Sequence, residues 1–140
     1  MKTLPRRDQV APADTWNLAS LFANDAAWEA AFRKWEKRIG GYDTFRGHLA
    51  DGPRALAAAL KFDSLFDRAG EALGNYAFLK SAEDQSNSDY QRMVGRYQNA
   101  ASRAARASCG IAASTEASAR RWPSNRAARI ASSRHVSRPA

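Results

Sequence analysis

Apolar side chains recur at three- and four-residue intervals in three separate stretches of this chain, and that spacing restricts it to packed helices. Trp28, Ala31, Phe32, Trp35 and Ile39 form the first stripe. Leu56, Leu60, Phe66, Leu73, Tyr76 and Phe78 form the second, and Tyr90, Met93, Val94, Tyr97 and Ala101 the third. The spacing predicts an all-α fold of about three principal helices in an antiparallel array.

Punctuation between the stripes sets the helix limits. Asn24 or Asp25 is a good N-cap for the first helix, and Gly40-Gly41 ends or bends it. Tyr42, Phe45 and Leu49 suggest a further helical turn or two. In Asp51-Gly52-Pro53, either of the first two residues can cap, and Pro53 fits the first position of a second helix that runs to about Ala82. Gly70 and Gly74 each lower its propensity by up to ~1 kcal/mol relative to Ala and permit close helix approach. Residues 83–87 read as a polar connection. Ser88-x-x-Gln91 has capping-box spacing for a third helix that continues to about Ala107. Ahead of all this, residues 1–23 read as an arm with Pro5 and Pro12, anchored by a short helical turn around Trp16, Leu18, Leu21 and Phe22.

The 140 residues suit one domain, yet the net charge of +8 is unevenly placed. Residues 1–100 are nearly balanced, whereas Glu116 is the one acid after residue 100, against eight arginines. Residues 101–140 contain 12 Ala, 8 Ser and 8 Arg and lack Leu, Phe and Met. Such a segment buries too little apolar area to offset chain entropy, so residues 107–140 are expected to form a disordered basic tail behind a helical domain at residues 24–106. The N-terminal MKTLPRRDQV lacks a following apolar run of signal-peptide length. No stretch approaches the ~20 apolar residues of a membrane span, and a cytoplasmic protein is expected.

The search for chemistry finds little. A catalytic zinc site takes about three protein ligands, and on a helix two His at i and i+4 share a face. His48 has Gly52 four residues on, and His135 has Pro139, so neither fits. Cys109 is the only cysteine, which excludes an internal disulfide, and no histidine lies near it in sequence. Glu83, Asp84 and Asp89 flank a helix junction and read as caps and dipole partners rather than an acid/base pair. Trp28, Phe32, Trp35, Phe66, Tyr76, Tyr90 and Tyr97 read as core. Arg103, Arg106, Arg120, Arg121, Arg126, Arg129, Arg134 and Arg138, with Trp122 as a stacking ring, offer the one alternative, a helical interaction module whose basic tail touches nucleic acid. They are scattered without a motif, so nucleic acid is not the expected partner. No catalytic, cofactor-binding or metal-ligating residue is expected.

One set of residues goes further than periodicity. Leu4-Pro5-Arg6-Arg7, Asp14-Thr15-Trp16-Asn17-Leu18-Ala19-Ser20-Leu21, Trp28-Glu29-Ala30 and Phe45-Arg46-Gly47-His48-Leu49-Ala50 occur in that order. The strongest pieces follow, Leu73 to Ser81 and Ser88 to Asn99. Over residues 4–106 the chain resembles the N-terminal helical domain of oligoendopeptidase F, a zinc metallopeptidase family that cleaves oligopeptides. The resemblance implies a helical wall of a substrate channel, ahead of a catalytic domain that carries H-E-x-x-H and a further Glu ligand. This sequence contains no H-E-x-x-H, so the expectation is a fragment inactive alone, separated from the catalytic domain that is its partner, with no zinc of its own and no membrane partner. Apolar surface meant for that domain is expected to stay exposed. The shift from Leu-containing to Arg/Ser/Ala sequence near residue 105 is what a slipped reading frame in GC-rich DNA would produce, which makes a frameshift the expected origin of the tail.

Overall fold

The computed structural model describes residues 9–119. Three α-helices carry the fold: α1, Asp25–Lys37; α2, Pro53–Glu83; and α3, Ser88–Ala119. Single 3-10 turns at Pro12–Asp14 and Leu18–Ser20 lead into α1, and an eight-residue 3-10 segment, Arg38–Phe45, with a turn at Leu49–Asp51 joins α1 to α2. No strand is present among the described residues.

Local chemistry accounts for each boundary. Asn24 caps α1, its side-chain oxygen accepting from the Ala27 N–H at 2.9 Å. Pro53 starts α2 after Gly52, whose φ of 136° is a conformation that favours glycine. The third boundary differs from the capping box read at Ser88. Asn87 is the cap, with Oδ1 accepting from the Asp89 N–H at 2.9 Å. Gln91 reaches back instead to Ser81 Oγ, at 3.0 Å, and so ties the two long helices together at their shared turn. Asn wins because its amide oxygen is a strong acceptor one residue before the helical geometry begins.

The core is unusually aromatic. Trp28, Phe32, Trp35, Tyr42, Phe66 and Tyr76 are buried together with Leu73, Met93 and three alanines. The indole N–H of Trp28 donates to the Leu73 carbonyl at 2.9 Å. That of Trp35 donates to the Phe66 carbonyl at 3.0 Å. Both N–H groups enter the core with a partner, as buried indoles must. Glycine makes the closeness possible at two places on α2. A Cβ on Gly70 would lie 3.0 Å from the Trp35 ring, and one on Gly74 2.6 Å from Tyr97. A third glycine, Gly41, admits the Phe62 ring, which would stand 2.7 Å from a Cβ there.

Two expectations are corrected. Of the second stripe, Leu56, Leu60 and Phe78 are 40%, 58% and 45% exposed, so the buried face of α2 runs instead through Ala59, Phe66, Gly70, Leu73 and Ala77. The third helix does not stop near Ala107, and residues 107–119 are helical rather than a disordered tail. Alanine is the best helix former, and propagation from a docked first half needs no new nucleus. Ala104 is buried, and Ala107 and Ile111 pack on the core from inside the Arg/Ser/Ala segment. Residues 120–140 lie outside the described residues.

Candidate interaction groove

The expected bystanders are placed as follows. His48 precedes the turn before α2, exposed, its Nδ1 2.9 Å from Asp51 Oδ2. Asp84 accepts from the Ser86 N–H at 3.0 Å and so shapes the α2–α3 turn. Asp89 pairs with Arg92 at 2.7 Å inside the first turn of α3. Glu83 closes α2, five residues before the start of α3 at Ser88. Trp28, Phe32, Trp35, Phe66 and Tyr76 are core, while Tyr90 and Tyr97 are half-buried at its edge. Of the eight arginines, Arg103 is paired with Glu36 of α1 and Arg106 is exposed. The other six, with Trp122 and His135, lie outside the described residues.

Two polar clusters pin the helices to one another. Arg96 of α3 grips Glu29 of α1 with both terminal nitrogens, at 2.6 and 3.0 Å. Its guanidinium also lies over the Phe32 ring, 4.7 Å from the centroid. The hydrogen bond from Arg96 holds the Glu29 carboxyl down at about 2; desolvation opposes this, and Arg33 adds to it. In the second cluster Asp25 accepts from the Tyr76 hydroxyl at 2.7 Å and pairs with Lys80 at 3.2 Å. Burial acts to lower the Lys80 pKa, but the Tyr90 hydroxyl and Asp25 outweigh it and the net shift is upward. Every charge in these clusters is spoken for, so they join elements rather than await a ligand.

The open surface is elsewhere. The continuation of α3 builds one wall of an apolar groove of about 460 Å³, facing the first half of α2. Leu49, Leu56, Leu60 and Ile111 line it, with Asp63 and Asp67 above and Cys109 at its edge. A second cavity of about 300 Å³, lined among others by Gly70, Glu71 and Tyr97, shares Asp67 and Ser108 with the first. Asp63 accepts from the buried Tyr42 hydroxyl at 2.7 Å. Asp67 is held above the usual carboxylate range, first by desolvation and then by the charges of Asp63 and Glu71. The sequence reading missed this groove because it placed Leu56 and Leu60 in one stripe with Phe66 and Leu73 and ended α3 too early. The signal present was the i, i+4 pairing of those two leucines on a face separate from Phe66 and Leu73.

Among the described residues no three His, Cys, Asp or Glu side chains converge to hold a metal ion, and Cys109 is exposed and unpaired with any other cysteine. No described helix is long and apolar enough to cross a membrane.

No protein-family model matches the chain. No solved structure matches it either. Curated relatives do. The chain is 35% identical over 105 residues to oligopeptidase PepF of Bacillus subtilis (strain 168), a match that covers 74% of this chain and 16% of that protein. It is 30% identical over 86 residues to the chromosomal oligoendopeptidase F of Lactococcus lactis subsp. cremoris, covering 61% of this chain and 14% of the relative. It is 27% identical over 81 residues to the group B oligopeptidase PepB of Streptococcus agalactiae serotype III (strain NEM316). The chain spans only 14–16% of the length of these relatives. Resemblance read from motifs and identity measured along the chain thus agree, and the chain belongs to the oligoendopeptidase F family as a segment of it.

Proposed function

We propose that this chain is a non-catalytic helical segment of a cytoplasmic oligopeptide-cleaving metallopeptidase, forming part of the wall beside its substrate channel. The observation that carries the reading is the 35% identity over 105 residues, 74% of this chain, with an oligopeptidase. The geometry is consistent with a wall. Its polar clusters are internally paired, its core is aromatic, and its open feature is an apolar groove rather than a cleft with convergent donors. The family resemblance implies zinc bound by H-E-x-x-H, where it would activate water for peptide hydrolysis. The described residues do not fit such a site, so no zinc ligand and no chemical step is assigned to them. The nucleic-acid alternative is not favoured by relatives that are all named as peptidases.

A chimera tests this. The matched stretch of the Bacillus subtilis oligopeptidase is replaced by the corresponding residues of this chain, and hydrolysis of internally quenched oligopeptides is measured beside this chain alone. The chimera is expected to cleave and the chain alone to be silent with or without zinc. Chelator-sensitive cleavage by the chain alone, or a folded chimera without activity, overturns the reading.

A further inference from the structure

The two adjoining cavities make one trough along the seam between α2 and α3. From Leu56 to Glu71 it follows α2 for about 22 Å, at ~1.5 Å per residue. Its floor is apolar. Leu60, one turn from the start of that floor, is 58% exposed, a large side chain with no cover among the described residues. Its rim is a ladder of carboxylates, Asp63, Asp67 and Glu71, one helical turn apart on the same face. Asp67 and Glu71 have neither a hydrogen bond nor an ion pair among the described residues, which sets them apart from the engaged Glu29, Asp25 and Asp89.

Shape and charge together define the occupant. A seam between two antiparallel helices accepts a third helix at ordinary interaxial spacing, and no sheet edge is present among the described residues to recruit a strand. Carboxylates beside the leucines repel phosphate, which disfavours nucleic acid and anionic lipid at this face. Cationic side chains flanking an apolar stripe match it. The relatives supply the source, since more than four-fifths of their length lies outside the matched stretch.

We propose that the trough is the seat of a helix from the remainder of the peptidase, whose apolar stripe covers Leu56, Leu60 and Ile111 and whose flanking Lys or Arg meet Asp63, Asp67 and Glu71. The proposal rests on the reading of this chain as a peptidase segment. The carboxylate ladder is then retained for docking. Desolvation first, and the neighbouring charges of Asp63 and Glu71 after it, make the ionised Asp67 a burden on the isolated chain.

Cys109 gives the test a native reporter, because it is the sole cysteine, is exposed and lies at the trough. Its alkylation rate by a maleimide is measured on the full chain with two synthetic amphipathic helical peptides of equal length, one Leu/Lys and one Leu/Glu. The remainder of the Bacillus subtilis oligopeptidase, expressed without the matched stretch, serves as a third probe. The Leu/Lys peptide and the oligopeptidase remainder are expected to slow alkylation saturably and to compete with each other, and the Leu/Glu peptide to have no effect. The double variant Asp67→Asn with Glu71→Gln is expected to weaken the Leu/Lys peptide by about fivefold or more, at one exposed charge pair per carboxylate, while its thermal midpoint stays level or rises. Equal protection by both peptides, or by neither, overturns the proposal, as does a remainder that fails to compete. Protection that grows with chain concentration alone identifies a second copy as the occupant. Faster alkylation without any peptide after Arg120, Arg121, Arg126 and Arg129 are replaced by Gln identifies the chain's own C-terminal segment. Either result also overturns it. An inactive chimera beside charge-selective protection would defeat the peptidase reading and leave the chemistry of the trough standing, so the two failures are separable.

Discussion

Trp35 and Phe66, 31 residues apart in sequence, are joined by an indole N–H that donates to a carbonyl already inside a helix. Trp28 makes the same bond to Leu73, so two rungs, each two turns from the next, fix α1 antiparallel to α2. A helical carbonyl already accepts from the residue four positions on. For Phe66 that residue is Gly70, and for Leu73 it is Ala77, the smallest side chains available and both buried. Small residues leave the second lone pair of each carbonyl open to the approaching ring.

Gly70 is therefore under tighter restraint than its place in a helix suggests. Gly70→Ala is expected to destabilise the fold by about 1–3 kcal/mol, because its Cβ would press on a ring stacked against Phe66 and Tyr97. Gly95→Ala is the control. Nothing lies within 4 Å of its Cβ, and it is expected to stabilise by up to about 1 kcal/mol. Urea midpoints of the two variants should move in opposite directions.

Trp35→Phe keeps a ring in the core but removes one rung. The loss is expected to be about 1–2 kcal/mol and no more, since the Phe66 carbonyl retains its helical partner and is not orphaned. Chemical denaturation with helicity followed by circular dichroism measures it.

The Glu29 carboxyl sits at about 2 in the fold, against an ordinary 4.5. A depressed pKa contributes stability that is present above pH 4.5 and is lost as pH falls through that value toward 2. With Arg96 partly exposed, solvent screening leaves about 1 kcal/mol. Glu29→Gln is expected to lower stability by that amount at pH 7 and to flatten the decline between pH 4.5 and 2, as read from thermal midpoints across that range.

Leu60 and Phe66 come from one apolar stripe in the sequence but do different work. Phe66→Ala is expected to cost about 3–5 kcal/mol, and Leu60→Gln to stay within about 0.5 kcal/mol of the parent. Equal losses at the two positions would place Leu60 in the core after all.

The contrast shows what was legible in the residues. Helix number, the Asn24 cap and the Pro53 start follow from local rules, because caps and prolines act within a turn of their own position. The face of a 31-residue helix is harder to read, since α2 is apolar enough to offer two stripes and only its partners decide which is buried. Glu29 and Arg96 are 67 residues apart, and nothing in their flanking sequence announces the pairing. The groove was hidden for the same reason: its far wall, Ser108 to Ile111, sits in Ala/Ser/Arg sequence whose helicity depends on the docked half of α3.

The aromatic ladder also makes this chain its own optical probe. Trp28 lies 5.0 Å from the Phe32 ring and nearly parallel to it, and Trp35 lies between Phe66 and Tyr97, whereas Trp16 stands 63% in water. With Trp122, which lies outside the described residues, replaced by Phe, a collisional quencher reaches Trp16 and spares the two stacked indoles. Their blue-shifted emission and near-ultraviolet ellipticity report directly on whether α1 is seated against α2, without any label introduced into the chain.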